Sequence, residues 1–121
     1  PHSLVPELTG MLWELRPTEP LGARLDEAMA RLAAARAAAV PGTPALPLQR
    51  ARGKIVDLAA LVLELSPLDD GGCLARCSLS ATGAVRPAEL IGGLLGLAGR
   101  AAAAVDVTRA AWLCGDREVT A

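Results

Sequence analysis

One hundred and twenty-one residues, 52% of them hydrophobic, suit one compact domain with one core and are too few for an enzyme that assembles its active site between domains. Twelve Lys and Arg against thirteen Asp and Glu leave a net charge of -1, which argues against a dedicated, strongly cationic nucleic-acid-binding domain and leaves room only for a local basic patch. With no Phe and no Tyr, the aromatic platforms on which RNA-binding sheets and single-strand-binding barrels stack bases are also missing, leaving Trp13 and Trp112.

Charged side chains, Glu64, Glu89 and the arginines among them, interrupt every apolar run before it could span a bilayer, so a soluble protein is expected. Three cysteines, an odd number in a chain with a substantial core, do not resemble the disulfide framework of a secreted domain and point to the reducing cytoplasm. Pro1 at the start, in place of Met, is expected of a segment cut from a longer chain.

In chain order, Met11, Trp13 and Leu15 alternate with Glu14 and Arg16 in a strand that ends at Pro17. A helix follows from Pro20 to Ala39, with Leu21, Leu25, Met29 and Leu32 as its apolar stripe, Glu27 four residues before Arg31, and Pro41-Gly42 as its stop. Its many alanines are strong helix formers of little bulk, suited to close packing on a sheet. After a loop of Pro, Gly, Thr and Ala, a second strand is expected from Leu48 through Arg52. The stretch Lys54 to Leu65 is open between strand and helix; the reading adopted is a strand followed by one or two helical turns capped by Asp57. Past the turn at Pro67 to Gly72, Cys73, Ala75, Cys77 and Leu79 alternate with Leu74, Arg76, Ser78 and Ser80 in a strand with a small-residue inner face, closed by Thr82-Gly83. Arg86-Pro87 opens a second helix whose stripe is Leu90, Ile91, Leu94 and Leu97. Gly92, Gly93 and Gly96 each weaken that helix by roughly 1 kcal/mol relative to Ala, so close backbone packing should compensate. The last strand, from about Ala104 to Leu113, sets Val105, Val107, Arg109, Ala111 and Leu113 on one side. The order strand, helix, strand, strand, helix, strand predicts an α+β, ferredoxin-like two-layer sandwich over residues 1–121: a four-stranded antiparallel sheet with two helices on one face.

Chemistry-bearing residues are sparse. Cys73 and Cys77 have the first spacing of an iron–sulfur cysteine triplet, but Ser80 stands where the third cysteine belongs. On a strand their Cα atoms would lie roughly 13 Å apart, too far to chelate one metal ion without a bend, so packing as small apolar side chains is the simpler role. Cys114 has no identifiable partner, and His2 at the chain start is expected to be solvated. Asp69-Asp70 before Gly71-Gly72 suits turn capping, since two carboxylates are too few for a hard cation. The helical glycines do not follow a strand, which argues against a phosphate loop. Arg50, Arg52 and Lys54, alternating on one side of the second strand, would present three charges to phosphates or to an acidic protein surface. Arg109, on the side of Val105 and Val107, calls for a carboxylate or carbonyl partner or a place at the sheet rim; Asp57 is a candidate partner by chemistry alone.

Several stretches together resemble a bacterial family of unknown function, the radical-SAM-linked proteins, in its C-terminal half. They are Ser3-Leu4 leading to the Trp13 strand, the basic Arg50 to Lys54 run before Val56-Asp57-Leu58, Gly83 to Arg86-Pro87-Ala88-Glu89-Leu90, and Val107-Thr108-Arg109. The N-terminal block of that family, with its Ser-His-Leu-Asp and Gly-Phe-Asn-Pro-His stretches, is not among these residues. The resemblance implies a domain without catalytic activity of its own, accessory or substrate-presenting, that works with a B12-binding-type radical SAM enzyme in cis or trans. Any iron–sulfur cluster, S-adenosylmethionine or cobalamin would then belong to the partner, and RNA or a ribosomal particle is the substrate suggested by association. The residues expected to bind are Arg50, Arg52, Lys54, Arg86 and Arg109. The competing readings are an RNA-contacting ferredoxin-like module and a homodimer formed through a helix-free sheet face.

Overall fold

A computed structural model describes residues 8–80, 83–114 and 117–119. His2, the Ser3-Leu4 lead-in and Thr82 lie outside them. In chain order the elements are β1 (Gly10–Arg16), α1 (Ala23–Ala37), β2 (Pro47–Gln49), β3 (Ile55–Asp57), α2 (Leu58–Leu61), β4 (Val62–Pro67), β5 (Cys73–Ser80) and β6 (Gly83–Ala84). Then come α3 (Pro87–Glu89), which widens into a π-helical turn at Leu90–Leu94, followed by α4 (Gly99–Ala103), β7 (Asp106–Cys114) and β8 (Arg117–Val119). The fold is α+β, with an antiparallel sheet in which the long strands run β4-β5-β1-β7. Short β8 extends the β7 side and β6 pairs with the end of β5.

The alternation expected in β5 holds: Cys73, Ala75 and Cys77 are fully buried, and their small side chains form the floor of the core. Leu15, Val62 and Leu65 continue that face, and it packs against Leu25, Ala28 and Leu32 of α1, Leu58 and Leu61 of α2, and Leu90, Ile91 and Leu94 after α3. A second, smaller cluster of Leu12, Ala111 and Leu113 lies apart from this core, across β1 and β7.

Helix α1 is shorter than the expected span from Pro20 to Ala39. The Leu21 N–H is diverted to the Gly71 carbonyl (2.9 Å), so the chain turns helical only beyond Gly22. Its stripe also rotates: Ala28 is buried and Met29, expected in the core, is exposed. Spacings of four, three and four from Leu21 through Leu25, Ala28 and Leu32 follow the 3.6-residue period more closely than the expected set.

The larger differences fall between Leu48 and Leu65. The expected second strand is instead a two-stranded hairpin, β2 against β3, whose turn at Ala51–Gly53 is a 3₁₀ helix. The sheet strand is β4, from the stretch where only helical turns were expected to follow the first strand; α2 supplies that one turn and then the chain pairs with β5. Leu46 N–H and Ala59 N–H both donate to Asp57 Oδ1, at 2.9 and 3.0 Å, so this carboxylate caps α2 and tethers the hairpin entry.

The second helix is not one continuous α-helix. Gly96 adopts a left-handed φ of +70°, which ends the π turn, and α4 follows as a separate piece. Arg31 of α1 donates to the Leu94 carbonyl, and Arg24 donates to the Gly96 carbonyl at 3.0 Å, so α1 satisfies carbonyls the broken helix leaves unpaired. Of the three glycines expected to permit close packing, Gly93 does so: a Cβ there would stand 3.2 and 3.3 Å from Leu48 and Leu58. Gly96 serves as a terminator, and nothing in the structure explains Gly92.

The turn between β4 and β5 docks on the exit of β1. A Cβ at Gly71 (φ +87°) would come within 2.7 Å of Pro20, and one at Gly72 would overlap the Leu15 carbonyl. Since backbone cannot move aside as a flexible side chain can, Gly72→Ala is expected to cost about 1–3 kcal/mol, measured as the loss of unfolding free energy in urea. An Ala at Gly92, where the nearest atom is 3.9 Å away, should by contrast leave stability unchanged or raise it.

Candidate functional site

The strongest concentration of interacting charge lies where the β2–β3 hairpin meets α3. Arg50 leaves β2 extended, and its side chain reaches Glu89, with Nε donating to Oε2 at 2.7 Å and an Nη to Oε1 at 2.6 Å. The same Nη donates to the Ala84 carbonyl of β6 at 2.7 Å. Both side chains are nearly closed off from solvent, 11% and 13% exposed, and the two-pronged geometry is the strong form of an arginine–carboxylate pair. Glu89 also reaches back to accept the Arg86 N–H at 2.9 Å, capping the first turn of α3. The Arg50 guanidinium holds the Glu89 carboxyl below the usual carboxylate range; burial opposes that shift and the Arg86 N–H reinforces it. Glu89 in turn raises Arg50.

Sequence reasoning grouped Arg50, Arg52 and Lys54 as alternating charges on a strand. The structure brings them together differently. Arg50 N–H donates to the Lys54 carbonyl at 2.6 Å across the turn, and Arg52 at its tip has a left-handed φ of 64°. Arg50 is spent on the scaffold; Arg52, Lys54 and Arg86 are exposed around it. Beside them a shallow groove of about 480 Å³ runs along Pro44, Lys54, Ile55, Val56 and Ala60 to Ser78, and Ile55 on its rim is 56% exposed. Glu89 was missed from sequence, although its place three residues after Arg86 is the spacing of a helix-capping acid.

Arg109 lies elsewhere, on β7. The register of β7 against β1 shifts between Leu12 and Trp13: Leu12 faces Ala111 and Trp13 faces Arg109, which leaves Ala110 as the extra residue of a bulge. Without the bulge, residues 109 and 112 would point to opposite faces of a strand. With it, both share the face of Met11 and Trp13, and the Arg109 guanidinium sits 4.3 Å over the Trp112 ring. The expected single side of Val107, Arg109, Ala111 and Leu113 is therefore split, with Ala111 and Leu113 clustering with Leu12 on the other face. Arg109 is exposed at the rim, and Asp57, committed to its two backbone N–H groups, is not its partner.

Asp70 caps the β4–β5 turn as expected, accepting the Gly72 N–H at 3.1 Å, and pairs with Arg16 Nε at 2.6 Å. That arginine holds the Asp70 carboxyl below its ordinary value. Burial pushes the thiols up, Cys73 to about 11 and Cys77 to about 12, so neither is a thiolate near neutrality. Among the described residues no three His, Cys, Asp or Glu side chains gather as metal ligands, and no helix is long and apolar enough to cross a membrane. Comparison with family models, with curated proteins and with solved structures returns no match to this chain.

Two pH dependences follow. Because Glu89 is depressed when folded, its stabilisation is present above its unfolded value of about 4.3 and is lost as pH falls through the lower folded value. Glu89→Gln should remove part of the acid limb of a stability–pH curve and cost about 2 kcal/mol at pH 7, read by urea unfolding. The cysteines act in the opposite direction: their contribution is full below about 8.5, the unfolded value, and fades as pH climbs toward 11 and 12. A Cys73→Ala/Cys77→Ala chain should show a flatter alkaline limb.

Proposed function

We propose that the chain is a non-catalytic binding domain, an accessory or substrate-presenting component of a B12-binding-type radical SAM system in the cytoplasm, built on a ferredoxin-like plan. The plan is supported by the order of the four long strands: the first strand is central, next to the third and the last, and the second lies outside the third. Partner choice is suggested by the resemblance of the Arg50 to Lys54 run and the Arg86-Pro87 segment to the radical-SAM-linked proteins, whose pieces meet in one place at the Arg50–Glu89 pair.

The observation that carries the binding role is the exposed Ile55 beside a groove and a rim of Arg52, Lys54 and Arg86, all held on a turn pinned by a buried ion pair. An apolar anchor within a charged rim is the anatomy of a protein-binding patch. It favours a protein partner over RNA, because phosphate contacts make no use of an exposed isoleucine. High thiol pKa values support a non-catalytic role for Cys73 and Cys77, which cannot supply a nucleophile at neutral pH.

Affinity capture from the native host, with the full-length protein as bait, should recover a radical SAM enzyme. Ile55→Asp combined with Arg52→Glu and Arg86→Glu should reduce that recovery at least about tenfold while the melting temperature changes little. Recovery unaffected by the triple change, or capture of RNA in place of protein with steep salt dependence, would contradict the reading.

A further inference from the structure

The two sides of the sheet end differently. On β4, Arg36 of α1 reaches over and donates to the Val62 carbonyl and, at 2.8 Å, to the Leu63 carbonyl, and the strand closes on Pro67. These are the devices by which an edge is protected against pairing. On β7 the protection stops short: β8 pairs with Trp112, Leu113 and Cys114 only, and among the described residues nothing lies beyond residues 106–109. All four of those residues are exposed, Val107 at 39%.

This open edge carries a specific pattern. Val107 and Arg109 share the face of Leu15 and Trp13, two residues apart, so a strand laid beside β7 would meet an apolar side chain and a guanidinium in alternation. Among the described residues the Arg109 guanidinium makes no hydrogen bond or ion pair; its contact is the stack on Trp112, which uses a face of the group and leaves its N–H edge available. A stacked arginine is already restrained, so gripping a carboxylate forfeits little further side-chain freedom.

We infer that residues 106–109 form a strand-addition site for an extended segment of a partner protein that presents a carboxylate two positions from an aliphatic side chain, the first on Arg109 and the second on Val107. Main-chain hydrogen bonds to the open edge would supply affinity, and the alternating pair would supply sequence preference. The inference rests on reading the chain as a binding domain and is independent of the cationic hairpin.

Octapeptides displayed on phage and panned against the full chain test it. Enriched sequences are expected to place Asp or Glu two positions from Val, Ile or Leu. R109Q should bind a synthetic copy of such a peptide about tenfold more weakly and lose the acidic preference, with R109K intermediate and the melting temperature of both unchanged. Bound peptide should slow amide hydrogen exchange at residues 106–109 and leave the hairpin at residues 50–55 unaffected. Enrichment without the acidic residue, equal binding by R109Q, or protection elsewhere overturns the site. So does self-association of the unliganded chain that protects residues 106–109, which would give the edge to a second copy. A failure here with radical SAM capture intact removes the strand-addition site alone; loss of capture on changing the hairpin, with peptide binding intact, does the reverse.

Discussion

The ion pair between Arg50 and Glu89 is the constraint through which distant parts of the chain become one surface. It joins the hairpin, the β6 carbonyl at Ala84 and the first turn of α3, three elements that otherwise meet only through modest apolar contact such as Leu48 against Gly93. A pair so nearly dehydrated is costly to form, and its geometry repays that cost only because both carboxylate oxygens and two guanidinium nitrogens are used. Glu89 has a second task in capping α3, so hairpin position and helix start are set by the same carboxylate. Cations on the turn therefore keep fixed positions relative to the helix, a precondition for any selective surface.

Beneath that surface the domain depends on small side chains in β5. Cys73, Ala75 and Cys77 take little room, which lets α1 and the π-helical turn approach the sheet. Alanine in α1 works similarly: Ala28 is fully buried while its larger neighbour Met29 stays outside. Arginines complete the arrangement. Arg24, Arg31 and Arg36 each lie exposed along α1 yet donate to main-chain carbonyls of the second helical segment or β4, so that a helix with a narrow buried stripe is also fastened at its flanks.

Much of the scaffold was legible in the sequence where one period dominates. Alternation gave β1 and β5, the 3.6-residue stripe gave the body of α1, and Asp57 announced the cap of α2. The failures have physical causes. Val62 through Leu65 is apolar without a clear period, and only pairing with β5 makes it a strand. Arg50, Arg52 and Lys54 alternate in sequence as a strand would, but Arg52 and Gly53 both take left-handed φ, and the chain reverses there. The bulge in β7 falls on Ala110-Ala111, two identical residues that carry no mark of which is extra. Its effect on Arg109 could be found only from the register. Of the expected binding residues, Arg52, Lys54 and Arg86 were grouped by fold, Arg50 became scaffold, and Arg109 went to a different edge.

The arrangement around that bulge has an optical consequence. Trp13 pairs across from Arg109, Trp112 lies beneath it, and the chain contains neither Tyr nor Phe. All near-ultraviolet absorption and intrinsic fluorescence therefore arise from one corner of the molecule. Emission recorded during denaturation tracks the loosening of β1 from β7, and fraying at the hairpin would pass unseen in that signal.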